Sequence, residues 1–183
     1  MNIVFLDRDG VINKFPGKGQ YVTSPGGFSF LPGSIEAIKK LNDNDFKVYV
    51  VSNQAGVAKG LYSQKDLDAI DRKMTEGLKK KKAHVDGIYY CTHSSDEKCS
   101  CRKPATGLLQ KAMEGYKGNS GCVFFIGDSM VDIETAKNQN INSILVLSGR
   151  VKLSEQDTWR MRPDYVFDNL LLAAYYLCNH YGK

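Results

Sequence analysis

Short runs of apolar, β-branched and aromatic residues alternate along the chain with stretches whose apolar positions recur every three to four residues. The runs predict strands at Asn2 to Asp7, Lys47 to Ser52, Gly87 to Cys91, Cys122 to Gly127 and Ser143 to Leu147, with a weaker one at Asp164 to Phe167. Helical periodicity predicts helices over Ser34 to Leu41, where Ile35, Ile38 and Leu41 share a face, and over Ser63 to Lys82, Thr106 to Gly115, Val131 to Asn138 and Asn169 to Asn179. The second of these opens on Ser63-Gln64-Lys65-Asp66, a weaker relative of a capping box. Alternation of this kind predicts an α/β fold, a parallel sheet covered by helices on both faces.

Such sheets bind ligands beyond the carboxyl ends of their strands. Strand one ends in Asp7-Arg8-Asp9, strand two in Ser52-Asn53-Gln54 and strand four in Gly127-Asp128-Ser129, a concentration of chemistry at one edge. The glycine-rich, aromatic stretch from Gly17 to Gly33 breaks the alternation and reads as a hairpin or flap over that edge. No repeat, low-complexity tract or second domain is marked, so residues 1–183 read as one domain.

Composition narrows this only a little. A net charge of +5 suits an anionic small substrate and is too weak and dispersed for nucleic acid. The cluster Lys79-Lys80-Lys81-Lys82 closes a predicted helix, where lysines complement the dipole. No apolar run is long enough to cross a bilayer, and charged residues reach Asp7 and Arg8 too early for a signal peptide. A reducing cytoplasm is therefore expected, and the five cysteines read as thiols or metal ligands rather than as disulfides.

Asp7 and Asp9 close an apolar strand two residues apart, so both can face the same side. Like charges this close cost free energy unless a cation lies between them or one carboxylate holds a proton. Asp128, after a glycine at another strand end, could share that cation, and carboxylates with water and a phosphate are typical company for Mg²⁺.

At this point the chain resembles the haloacid dehalogenase-like phosphatases, through "DRDG" at Asp7 to Gly10, "SN" at Ser52-Asn53, Lys103, and "GDSMVD" ending in Asp128 to Asp132. The resemblance implies a three-layer, Rossmann-like domain with a minimal cap. It assigns Asp7 as the nucleophile that forms an aspartyl-phosphate, and Asp9 as general acid and then base. Ser52 and Lys103 would stabilise the phosphoryl oxygens. Mg²⁺ would be held by Asp7, Asp128 and the backbone carbonyl of Asp9. An aspartate at position 9 favours phosphatase over dehalogenase chemistry, which needs no acid for an alkoxide. Asp132 reads equally as a partner of the metal site or as an ordinary first-turn helix acid.

"CTHSSDEKCSCRKP" offers Cys91, His93, Cys99 and Cys101, a Cys₃His set suited to a structural Zn²⁺. Zinc there would staple a loop without an apolar core and fix Arg102 and Lys103 beside the site. Together with "SNQAGVAKG" and "DGIYYC", this loop is similar to that of the D-glycero-D-manno-heptose-1,7-bisphosphate phosphatases and related histidinol-phosphate phosphatases. The resemblance implies substrate contacts from Asn53, Gln54 and Arg102, the last clamping a second phosphate. Thr92 and Ser94 depart from the family's Cys-Pro-His-His, and Ser129 stands where a basic residue is common.

The expected activity is Mg²⁺-dependent removal of the C7 phosphate of the heptose bisphosphate by a cytoplasmic monomer acting on a small phosphorylated sugar. Histidinol phosphate or another small phosphomonoester is the alternative substrate, and a catalytically silent zinc-stapled binding module the alternative of another class. Lys59, and Lys18 in an acid-free flap, favour the bisphosphate. Cys122, Cys178, His84, His180 and Trp159 read as plain packing residues.

Overall fold

The computed structural model describes residues 2–114, 121–151, 154 and 159–183. Its six parallel strands lie in the order β3-β2-β1-β4-β5-β6. They span Asn2–Leu6 (β1), Phe46–Asn53 (β2), Gly87–Cys91 (β3), Val123–Gly127 (β4), Asn142–Val146 (β5) and Tyr165–Phe167 (β6). The helices are Ser34–Asp43 (α1), Gln64–Lys80 (α2), Gly107–Met113 (α3), Met130–Asn138 (α4) and Leu170–Tyr181 (α5). Each expected element is present, with ends shifted by a few residues; Gly115, the last residue of the third predicted helix, lies outside the described residues.

The pleat sorts side chains between two cores. Val4, Leu6, Val48, Val50, Phe124 and Ile126 face one core, which α1, α2 and α5 cover with Ile38, Leu41, Met74, Leu78 and Leu177. Ile3, Phe5, Val51 and Phe125 face the other, closed by Leu108 and Leu109 of α3 and Ala136 of α4. Residues buried on both faces are what turn these strands into near-continuous apolar runs. A full capping box starts α2: Ser63 accepts from the Asp66 N–H, and Asp66 accepts from the Ser63 N–H.

Chain order reverses at β1, which lies between β2 and β4. Leu6 pairs with Ile126, and the Asp7 N–H donates to the Ile126 carbonyl at 3.0 Å. Asp7 and Asp128 thus leave adjacent strands at the switch point, where such sheets open a crevice.

The 17–33 stretch lies beside this crevice but is no hairpin. It makes one short 3-10 turn, Pro25–Gly27, and a single bridge between Asn13 and Phe30. With so few ladder bonds, its glycines leave it a folded-over loop. Trp159 is half-buried and packs against a small apolar cluster of Ile133, Leu145 and Val151, as expected of a packing residue. Among the described residues no helix is long and apolar enough to cross a membrane.

Candidate active site and cysteine cluster

A cleft of about 200 Å³ opens beyond the strand ends. Its lining includes Asp7, Asp9, Ser52, Asn53, Arg102, Lys103, Ser129, Asp132 and Arg150, with Gly19 to Tyr21 from the overlying loop. Most of the residues singled out in the sequence meet here, although they come from three separate strand ends and the cysteine loop.

Carboxylate oxygens of Asp7, Asp128 and Asp132 lie within 4.8 Å of one another. Lys103, almost wholly buried, sits among them: its ammonium is 2.5 Å from Asp132, 3.2 Å from Asp7, and donates to the Val51 carbonyl. Burial works against that charge, but Asp132 and Asp7 hold the Lys103 pKa above its ordinary value. One ammonium leaves three carboxylates undercompensated. Burial, reinforced by Asp132 and Asp7, pushes Asp128 up to about 8, and Asp7 is likewise raised by burial despite Lys103. An oxygen-rich cradle with excess negative charge is the donor set a hard divalent cation needs.

Glycines build that cradle. Gly10 has φ +89°, and a Cβ there or on Gly149 would come 2.1 Å from Asp128 Oδ2. The Arg150 N–H donates to the same oxygen at 2.7 Å. Asp132 is a first-turn acid of α4 and also a member of the carboxylate cluster: it is buried, pairs with Lys103 and accepts from Ser129 Oγ at 2.6 Å. Ser129 therefore supports Asp132, with no cation of its own to offer.

Asp9 is aimed by its neighbours. Arg8 and Gln54 donate to Oδ2 at 3.0 and 2.9 Å, and Asn13 donates to Oδ1 at 2.8 Å. Arg8 is fully buried; burial alone would lower its pKa, but Asp9 and Tyr90 hold it above the usual value.

Of the three residues expected to contact substrate, Asn53 and Arg102 line the cleft and Gln54 does not. The Asn53 amide donates to the Lys103 carbonyl and accepts from the Lys103 N–H, tying the cysteine loop to β2. Gln54 is buried behind the cleft, with both ends of its amide engaged. Arg102 lines the cleft and donates to the His93 carbonyl at 3.3 Å. Lys18 is exposed, Lys59 donates to the Tyr21 hydroxyl, and neither is among the residues lining the cleft.

Sequence reasoning passed over Arg150, which follows Ser148-Gly149 at the end of β5 and stacks 5.1 Å from the Phe15 ring centroid. The fifth strand end carried the signal. Arg8 also escaped notice, although a cation between two aspartates is itself a cue.

Cys91, His93, Cys99 and Cys101 converge on one point. Their sulfur and Nδ1 atoms lie 3.2 to 3.6 Å apart in the measured pairs. A tetrahedron with metal–sulfur bonds of about 2.3 Å has edges of about 3.8 Å, so the cluster needs only slight expansion to hold zinc. Burial and the neighbouring thiols push Cys91 up to about 12. At Cys99 burial is outweighed by hydrogen bonds from Cys101, Cys91 and backbone N–H groups, which bring it down to about 7.

The HAD-hydrolase-like family model matches residues 100–173. A D-glycero-beta-D-manno-heptose-1,7-bisphosphate 7-phosphatase of Bordetella bronchiseptica is 36% identical over 149 residues, 81% of this chain and 82% of that one. The Pseudomonas putida enzyme of the same name is 35% identical over 176 residues, covering 95% of this chain and 98% of its own. This chain belongs to the HAD-like phosphatases. The crystal structure of the Bordetella bronchiseptica heptose bisphosphate phosphatase with magnesium and phosphate superposes with a TM-score of 0.88 at 33% identity, covering 98% of this chain and 99% of that one. As a HAD-like phosphatase the chain belongs to a Mg²⁺-using family. Its four motifs fall at the ends of β1, β2 and β4 and in the cysteine loop.

Proposed function

We propose that this phosphatase removes the C7 phosphate of D-glycero-D-manno-heptose 1,7-bisphosphate by transfer to Asp7, in a single unit formed by residues 1–183. The carrying observation is the cleft itself, whose lining combines Asp7, Asp9 and Lys103 with Arg102 and Arg150. Relatives more than 30% identical over most of their length bear the name of that activity.

Asp7, Asp128 and the Asp9 carbonyl would hold Mg²⁺, with Asp132 and Lys103 behind them. When bound, the ion neutralises charge on the phosphoryl oxygens. Asp7 attacks phosphorus, the bond to the sugar oxygen breaks, and Asp9 delivers a proton to that oxygen. Ser52 and Lys103 stabilise the phosphoryl oxygens during transfer. Asp9 then takes a proton from the water that attacks the aspartyl-phosphate, regenerating Asp7 and releasing phosphate. Turnover of both heptose bisphosphate anomers, fructose 1,6-bisphosphate and histidinol phosphate tests the substrate. Preference for a heptose bisphosphate supports the reading, and preference for histidinol phosphate overturns it.

Arg102 and Arg150 are the cations that can meet the far phosphate, since Ser129 supplies none. Arg102→Ala is expected to weaken turnover of a bisphosphate by about 2 kcal/mol or more, the scale of a lost charge-assisted bidentate contact. A sugar monophosphate should lose far less. Equal losses on both substrates would assign Arg102 to the loop's architecture.

We also propose that the Cys₃His cluster holds structural Zn²⁺, in keeping with five cysteines that form no disulfide. All four positions are filled by protein, so the ion would staple the loop and leave catalysis to the cleft. Cys99→Ser should lower both zinc content and melting temperature. Zinc-free protein with full activity and unchanged melting would remove the staple.

A further inference from the structure

Gln54 is almost wholly buried, yet every polar end of its amide meets a group with a defined role. Its Oε1 accepts from Arg8 at 3.0 Å and from the Tyr62 hydroxyl at 2.7 Å. Its Nε2 donates to Asp9 Oδ2 at 2.9 Å and to Ser52 Oγ at 3.2 Å. The amide can face only one way. A guanidinium has donors and no acceptor, so Oε1 must meet Arg8, and a flipped amide would set its oxygen against the Asp9 carboxylate.

That orientation has two consequences. Nε2 pins Asp9, and by donating to Ser52 Oγ it takes an acceptor site of that hydroxyl, so the serine's single proton points away from the amide and is available to a phosphoryl oxygen. We propose that Tyr62, acting through the Gln54 amide, is a positioning residue that sets the general acid Asp9 and the phosphoryl donor Ser52 at once. Tyr62 is not among the residues lining the cleft. Its ring is wedged on the Gly56 backbone, where a Cβ would come 2.2 Å from the ring, and it lies 6.2 Å from the ring of Tyr21 in the overlying loop. The hydroxyl is therefore delivered to Oε1 by packing, and Gly56 is the residue that makes room for it.

This rests on the roles proposed above for Asp9 and Ser52, and the test separates the two. Tyr62→Phe removes one hydroxyl and keeps the ring in place. Steady-state rates are measured on a sugar phosphate, on glycerol phosphate and on 4-nitrophenyl phosphate, with melting temperature alongside. Poorly aimed acid matters most when the leaving alkoxide needs a proton. Loss of one neutral hydrogen bond predicts a fall in kcat of about tenfold on the two alkyl phosphates, less than about threefold on the aryl phosphate, and little change in KM. Gln54→Leu, which removes all four bonds, should show the same selectivity with a larger loss. Equal losses on all three substrates, or none on any, would overturn the positioning role. Wild-type protein inert toward all three would sink the phosphatase reading, and this inference with it.

Discussion

Asp7→Asn is expected to stop turnover, with a loss of about 10⁴-fold or more on every phosphomonoester. An amide is a poor nucleophile and a poorer ligand for a hard cation, so both proposed roles of Asp7 vanish together. A second readout distinguishes this from misfolding. Magnesium that binds the folded state raises its melting temperature. The variant should fold and melt near the wild type without metal, because Lys103 keeps its 2.5 Å pairing with Asp132. It should lose most of the Mg²⁺-induced rise. A variant that retains both turnover and the full metal response would remove Asp7 from the centre of the site.

Asp9→Asn should behave differently, because its proposed part is in moving protons. General acid–base help is worth about 10²–10⁴ in rate, and that full loss is expected where a sugar alkoxide must leave. An aryl phosphate departs with little protonation, so the first step should survive and the second, which needs a base for water, should become limiting. Steady-state rates on sugar and aryl phosphates, together with a burst of aryl alcohol, check this. Uniform loss with no burst would argue that the carboxylate merely shapes the cleft.

How much of this was legible depended on what each feature requires. The six strands could be read because residues such as Val4, Phe5, Val50 and Phe125 are buried on one face or the other, which leaves a run of apolar residues in the chain. The ends of β1, β2 and β4 could be read because parallel sheets direct their chemistry there. The 17–33 stretch could be read as a hairpin or a flap, and the flap is what forms: its glycines permit many turns, and its path is set across the fold by the Asn13–Phe30 bridge and by Lys73 donating to the Pro25 and Phe28 carbonyls. Asp132 stayed ambiguous in sequence because its meaning lies in Lys103, twenty-nine positions away. The same holds for Gln54, whose partners Arg8 and Asp9 arrive only when β1 and β2 align, and Tyr62 only when the loop after β2 folds back. Local pattern shows which residues carry chemistry; the hydrogen bonds that aim them are made across the fold.

Covalent transfer to Asp7 is tested most directly by mass spectrometry of Asp9→Asn after brief exposure to an aryl phosphate and Mg²⁺. The account predicts a phosphate adduct that maps to the Asp7 peptide and is lost on mild base. Steady turnover of the aryl phosphate with no adduct would contradict it, leaving Asp7 as a metal ligand and water as the attacking group.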